Sequence, residues 1–253
     1  VRPDLMEAVH RLLPPDARIH TPYGATEVLP VSDIDSREVL AETRQISENG
    51  GGTCVGRPLA GMEVRIIEII EAPLAHIGEA LVLPSGQIGE IVVKGPVTTK
   101  EYFRNPGATR LAKMADDDGG VWHRMGDVGY LDDKGRLWFC GRKAHRVETV
   151  TGRLFTIPCE ALFNRHPRVR RSALVGVGAA GNKRPVIIIE LKPGDGGADR
   201  EGLTAELLAI ARANVITREI ETVLYHPGFP VDIRHNAKIF REKLAVWAEA
   251  QLK

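Results

Sequence analysis

The chain has 253 residues, 43% of them hydrophobic and 26% charged, with a formal net charge of +1. That balance suits one large domain or two smaller ones with a real apolar core. It excludes disordered, collagenous and membrane-spanning classes, because no apolar run approaches the roughly 18 residues that a bilayer crossing needs. The small total hides opposite halves. Residues 1–142 carry 16 Lys/Arg against 21 Asp/Glu, a balance of −5, and residues 143–253 carry 18 against 12, or +6. The basic charges of the second half are scattered, with only "RVRR" at 168–171 clustered, so a solvated face is expected there and no nucleic-acid partner.

In chain order, "PDLMEAVHRLL" places Leu5, Val9 and Leu12 at helical spacing. "DARIHTPYGATEVLP" reads as a short strand entering a glycine-containing turn, and "ENGGGT" at 48–53 as a flexible loop. "MEVRIIEI", "EALVLP" and "GEIVVKG" are β-rich runs bounded by Gly and Pro, the pattern of an antiparallel sheet or small barrel. "NPGATRLAKMADDDGG" predicts a brief helix closed by an acidic, glycine-rich loop. Then "RMGDVGYLDDKGRLWFCGRK" (124–143) predicts a hairpin turning at "DDKG".

The texture changes after Arg142. "HRVETVTGRLFTI" predicts a smaller hairpin, "PCEALFNRH" a helix with proline at its start, and "RSALVGVG" and "RPVIIIELK" two strands. "GLTAELLAIARAN" sets Leu203, Leu207 and Ala211 on one helical face, and "REKLAVWAEAQL" predicts a closing amphipathic helix. The expectation is therefore an α+β protein with a domain boundary at 142/143. "GVGAAG" (176–181) fits a dinucleotide-binding glycine pattern, but a proline and a β-branched run follow it instead of a helix. It is read as a turn between strands. Cys54, Cys140 and Cys159 share no metal-ligand spacing and are expected as buried apolar thiols in a reducing cytoplasm.

Residues able to handle a nucleotide are distributed along the chain. Tyr23, Gly24, Thr26 and Glu27 lie within "YGATE"; Asp127 and Arg142 bracket the hairpin, each beside a glycine; Lys238 precedes the last helix. Adjacent ribose hydroxyls suit a fixed carboxylate, phosphate suits guanidinium or ammonium, adenine suits a flat aromatic face, and a phosphate-bridging cation suits carboxylate oxygen. An ordinary salt bridge between Asp127 and Arg142 fits the same residues on composition alone.

Those stretches resemble the adenylate-forming (AMP-binding) superfamily of acyl-CoA synthetases, luciferases and peptide-synthetase adenylation domains. "YGATE", "VGRPLAGMEVRI", "GEIVVKGP", "WHRMGDVGYLDDKGRLWFCGRK" and "NAKIFREKL" follow the order of that family's motifs. The resemblance implies that 1–142 is the β-rich C-terminal part, a sheet or distorted barrel, of a large AMP-binding domain. Residues 143–253 would form a small mobile α+β lid domain. It implies ATP and Mg²⁺, with Tyr23 stacked on adenine, Gly24 among the nucleotide-binding residues, Thr26 at the α-phosphate and Glu27 as a catalytic residue that helps hold Mg²⁺. Asp127 would take the ribose hydroxyls, Arg142 the ribose and phosphate, and catalytic Lys238 would bridge substrate carboxylate and α-phosphate.

The family's upstream phosphate loop does not precede Pro22, so the C-terminal half of a longer enzyme is expected, inactive alone. At the interdomain hinge Ala144 stands where Asp or Lys is usual. Gly152 arrives one residue late, and Ala237 precedes Lys238 in place of glycine. These departures weaken the case for coenzyme A. "AHRVETVTGRLFTIPCEALFNRHP" and "HPGFPVDIRHNAKIFREKL" resemble the fatty-acid CoA ligase-like β-lactone synthetases of olefin biosynthesis. A long-chain 2-alkyl-3-hydroxy fatty acid is the implied substrate, alongside pathway-enzyme partners. An ordinary fatty acyl-CoA synthetase and a non-catalytic interaction module are the alternatives.

Overall fold

The computed structural model describes residues 3–195, 199–232 and 235–253. The chain divides into two units, Val1–Ser47 with Gly51–Lys143, and Glu48–Gly50 with Ala144–Lys253.

In the first unit, α1 (Pro3–His10) precedes a hairpin of β1 (His20–Ala25) and β2 (Val28–Asp35). Asp35 then caps α2 (Ser36–Glu38) by accepting the Arg37 N–H at 2.8 Å, and a π turn leads into α3 (Arg44–Ile46). This helical stretch and β2 have no counterpart in the sequence reading. Pro30 disguises β2, since proline cannot donate to a ladder. It falls in the irregular stretch of register between the Tyr23↔Ser32 and Ala25↔Val28 pairs, where no ladder donor is required.

The remaining elements are β3 (Thr53–Pro58), β4 (Glu63–Ile67), β5 (Gly89–Lys94), α4 (Pro106–Ala112), β6 (Lys113–Ala115), β7 (Val121–Leu131) and β8 (Leu137–Arg142). They form an antiparallel sheet in the order β1-β2-β3-β8-β7-β5-β4, with β6 on β7. Its two ends, β1 and β4, do not pair, so among the described residues the sheet stays open and the barrel alternative is corrected. "EALVLP" is not a strand either. It crosses the outer edge of β4 with the single bridge Ile67↔Val82, then meets Pro84, which cannot extend a ladder.

Both faces of the sheet centre are covered. Ile91 and Val93 pack with Val28, Val31, Ile66, Met125 and Leu137 on one side. Val92 points the other way, to Ile67, Leu74, Ile77, Met114 and Trp122. This is why "EIVVK" reads as a continuous apolar run. Each such side chain, fully buried, contributes roughly 1.5–3 kcal/mol. Gly56 has φ +86°, and a Cβ there would lie 1.8 Å from the Asp33 carbonyl oxygen. Only glycine permits that approach of β3 to β2.

The second unit has a short hairpin of β9 (Val147–Glu148) and β10 (Arg153–Leu154), then α5 (Thr156–Asn164), β11 (Val169–Val177), β12 (Arg184–Leu191), α6 (Arg200–Ala213), β13 (Thr222–Tyr225), β14 (Val231–Asp232), β15 (His235–Ile239) and α7 (Arg241–Gln251). β12 sits centrally, antiparallel to β11 and parallel to β13. Ile187 and Ile189 face Cys159, Phe163, Leu203, Leu207 and Ala211 of α5 and α6. Val186 and Ile188 face Phe229, Ile239, Leu244 and Ala248. One β-branched run thus holds helices on both faces of a three-stranded sheet. The glycine pattern at 176–181 spans the end of β11 and the turn before β12, with Val177 paired to Arg184. Cys54, Cys140 and Cys159 are buried free thiols, and burial pushes Cys54 up to about 11 and Cys140 to about 12. Among the described residues no helix is long and apolar enough to cross a membrane.

Candidate functional site

The β7–β8 connection sets the first part of the site. Asp132 Oδ1 accepts the backbone N–H groups of Lys134 and Arg136, at 2.9 and 2.8 Å, and Gly135 takes φ +70°. That turn brings Asp127 opposite Arg142 in the ladder. Arg142 Nη1 donates to Asp127 Oδ1 at 2.9 Å, and Tyr23 Oη donates to Asp127 Oδ2 at 2.6 Å. The Asp127 carboxylate is buried and the Arg142 guanidinium half exposed (7% and 49%). Burial pushes the Asp127 carboxyl up, with Arg142 and Tyr23 opposing it. Burial, then the Asp127 charge, pushes the Tyr23 hydroxyl well above its ordinary value. The two residues bracketing the hairpin are therefore an ion pair, one of the two arrangements left open by composition, and Tyr23 is its third member.

The tight turn between β1 and β2 sets the second part. A Cβ at Gly24 would lie 2.6 Å from the Val28 carbonyl oxygen, so the close approach of β1 to β2 needs glycine. Thr26 is exposed at the turn, and Glu27 is half-buried. Tyr102 Oη donates to Glu27 Oε1 at 2.7 Å, and this bond is the main reason that the Glu27 carboxyl lies below its usual range. The Thr99 N–H donates to the Glu27 carbonyl at 2.9 Å. Beneath them the buried Lys113 ammonium donates to Thr99 O and Oγ1 at 2.5 and 3.0 Å, and burial lowers its pKa. Burial and the Lys113 charge hold His123 down to about 4.

Tyr102, Lys113 and His123 were not singled out from the sequence. Tyr102 lies 75 residues from Glu27, and nothing in "KEYFRNP" ties the two. The Glu27 carboxylate suits a hard cation: it is ionised oxygen, half-buried and fixed in direction by Tyr102. His76, Asp116 and Asp117 also lie close enough to share an ion. There, however, the Lys94 ammonium already bridges Asp116 and Asp118 at 2.6 Å each, and His76 Nδ1 accepts the Gly78 N–H. That cluster is a loop staple.

Two predicted residues belong to the other unit. Ala144 is its first residue after the Lys143 boundary, exposed within a short 3₁₀ turn. Lys238 is exposed on β15, just before the last helix. The side chain of Ala237 lies outside the described residues.

Comparison with known proteins agrees with this architecture. Residues 1–103 match the family model described as AMP-binding enzyme. The chain is 52% identical, over 99% of its length, to an olefin beta-lactone synthetase of Xanthomonas campestris pv. campestris. It is 53% identical, over its whole length, to one of Stenotrophomonas maltophilia. It spans about half the length of these curated relatives, 46% of each. The solved amide bond synthetase of Marinactinospora thermotolerans shares the fold with a TM-score of 0.71 and 24% identity, covering 90% of this chain and 42% of that one.

Proposed function

The chain belongs to the AMP-binding enzyme family, and on that premise we propose that it takes part in ATP-dependent activation of a carboxylic acid to an acyl-adenylate. Residues 1–142 serve as the C-terminal part of the large AMP-binding domain, and residues 143–253 as the small domain that carries Lys238. The observation that carries the reading is the buried Asp127 carboxylate shared between Tyr23 and the half-exposed Arg142. A carboxylate accepts ribose hydroxyls as readily as it accepts a tyrosine O–H, and a half-exposed guanidinium can turn to phosphate at little cost.

Adenylation joins the acid's carboxylate oxygen to the α-phosphorus of ATP and breaks the bond to pyrophosphate. Lys238 supplies positive charge to the two anionic groups being brought together, and Thr26 donates to the α-phosphate. Tyr23 stacks on the base, and Gly24 lies beside it in the nucleotide site. Glu27 would hold Mg²⁺, which would supply positive charge to the phosphates. The remaining roles fall to protein groups: Tyr102 orients Glu27, and Asp127 fixes the sugar.

We further propose a long-chain 2-alkyl-3-hydroxy fatty acid as substrate. Its 3-hydroxyl oxygen attacks the activated acyl carbon, loses its proton to solvent and expels AMP, closing a β-lactone. The names of the two relatives that match the whole chain support this reading. So does the altered hinge at Ala144, since a nucleophile already attached to the acid needs no thiol.

The experiment is turnover of a 3-hydroxy fatty acid by the whole protein with ATP and Mg²⁺, with and without coenzyme A. Lactone and AMP formed without coenzyme A are expected. A thioester formed only with coenzyme A would sink the lactone step and leave an acyl-CoA synthetase. Unchanged pyrophosphate release by Lys238→Ala would remove the catalytic role of Lys238 and assign it to another residue, whereas a wild-type protein that releases no pyrophosphate would favour an interaction module.

A further inference from the structure

Glu160 on α5 is buried, yet it is an acid. Arg241, the first residue of α7, holds it with a forked grip. Nη2 donates to Oε1 at 2.8 Å and to Oε2 at 2.6 Å, while Nε reaches Oε1 at 3.1 Å. The Leu174 N–H of β11 adds a bond of 2.8 Å to Oε1. One carboxylate thereby joins three elements of the second unit: α5, β11 and the start of α7.

Stability is a poor reason for this arrangement. Taking both charges out of water offsets most of their attraction, and apolar residues of similar volume commonly hold such a place as well. What a planar guanidinium on a carboxylate supplies is direction, because the fork fits in one orientation. The direction fixed here is that of residues 239–241. Ile239 is buried against Phe229, Leu244 and Ala248. The Phe240 N–H donates to the Pro230 carbonyl at 2.9 Å. Arg241 closes the tether on Glu160. Lys238 is the residue immediately before these three ties, and it is exposed. At about 3.3 Å of chain per residue, the clamp acts within roughly 10 Å of the Lys238 backbone.

We propose that the Glu160–Arg241 pair is a positioning device for Lys238, setting where its ammonium stands during adenylation. This rests on the adenylation reading above. Neither Glu160 nor Arg241 touches the reactants; both act through the backbone that carries Lys238.

The test uses the whole protein in three variants: Lys238→Ala, the apolar pair Glu160→Leu/Arg241→Met, and Arg241→Lys, which keeps the charge and loses the fork. The apolar pair leaves the Leu174 N–H without its acceptor and should unfold a few degrees below the wild-type midpoint, yet stay folded at the assay temperature while its adenylation kcat falls about 10- to 100-fold. KM for ATP and for the acid should stay within about twofold, and consumption of a supplied acyl-adenylate should be unchanged. Arg241→Lys should fall between wild type and the apolar pair in the same rate alone, and it decides the matter if the apolar pair does not fold. If Lys238→Ala abolishes adenylation while the folded clamp variants adenylate at the wild-type rate, the positioning role is overturned and the adenylation reading stands. Loss spread equally over both half-reactions and both KM values would mark a merely structural pair and overturn it too. A fully active Lys238→Ala would overturn the reading beneath it.

Discussion

Asp127 meets Arg142 at 2.9 Å across the β7–β8 ladder, and Tyr23 holds the second oxygen of the same carboxylate at 2.6 Å. Burial raises the Asp127 carboxyl while Arg142 opposes the rise. Arg142→Ala should therefore destabilise the protein by about 1–2 kcal/mol at pH 7, a figure kept small because the guanidinium is half exposed. A carboxyl raised in the folded state gives stability that is complete below its unfolded pKa and is lost as pH rises through the folded one. The penalty of Arg142→Ala should shrink near pH 4, and chemical unfolding at the two pH values measures it. An equal penalty at both would remove Asp127 as its source.

His123 predicts the opposite slope. Burial and Lys113 hold it near 4 against an ordinary 6.5, so folding favours the neutral ring. The stability from this group is complete above 6.5 and is lost as pH falls from there toward 4. The whole change is at most about 3 kcal/mol. His123→Asn should flatten unfolding free energy over that window. A profile as steep as wild type would assign the acid sensitivity elsewhere.

Gly56→Ala should destabilise the protein by about 3 kcal/mol or more. The new Cβ strikes the Asp33 carbonyl at a positive φ, and neither backbone can move without breaking the β2–β3 ladder. Soluble yield and thermal midpoint report it, and an unchanged midpoint would show the strands free to separate.

Tyr102→Phe removes the hydroxyl that fixes Glu27 while keeping the ring. The Mg²⁺ concentration for half-maximal pyrophosphate release should rise several-fold, with the rate at saturating Mg²⁺ little changed. A fall in the saturated rate at unaltered Mg²⁺ demand would place Tyr102 elsewhere in the reaction.

Periodicity made some elements legible and topology hid others. Leu203, Leu207 and Ala211 at helical spacing point into one core cluster, as their pattern predicts. The Asp132–Arg136 turn makes the β7–β8 hairpin readable from local chemistry alone. β2 hides behind Pro30, and β13, β14 and β15 are two to five residues long, too short for alternation to register. The candidate residues show the same split. Tyr23, Glu27, Asp127, Arg142 and Lys238 stand out in short motifs. The long-range bonds near them, Tyr102 to Glu27 and Arg241 to Glu160, join residues 75 and 81 apart. No local pattern encodes such a partner, since it exists only once the strands have paired.

The most direct measurement is binding of a non-hydrolysable acyl-adenylate analogue to the whole protein and to Asp127→Ala, each with the intact sugar and with its 2′- and 3′-hydroxyls removed. If Asp127 accepts those hydroxyls, the substitution and the deoxygenation each weaken binding about tenfold or more, and together they cost little beyond either one. Losses that simply multiply, or an Asp127→Ala variant that binds the intact analogue as tightly as wild type, would contradict the nucleotide role of the Tyr23–Asp127–Arg142 cluster.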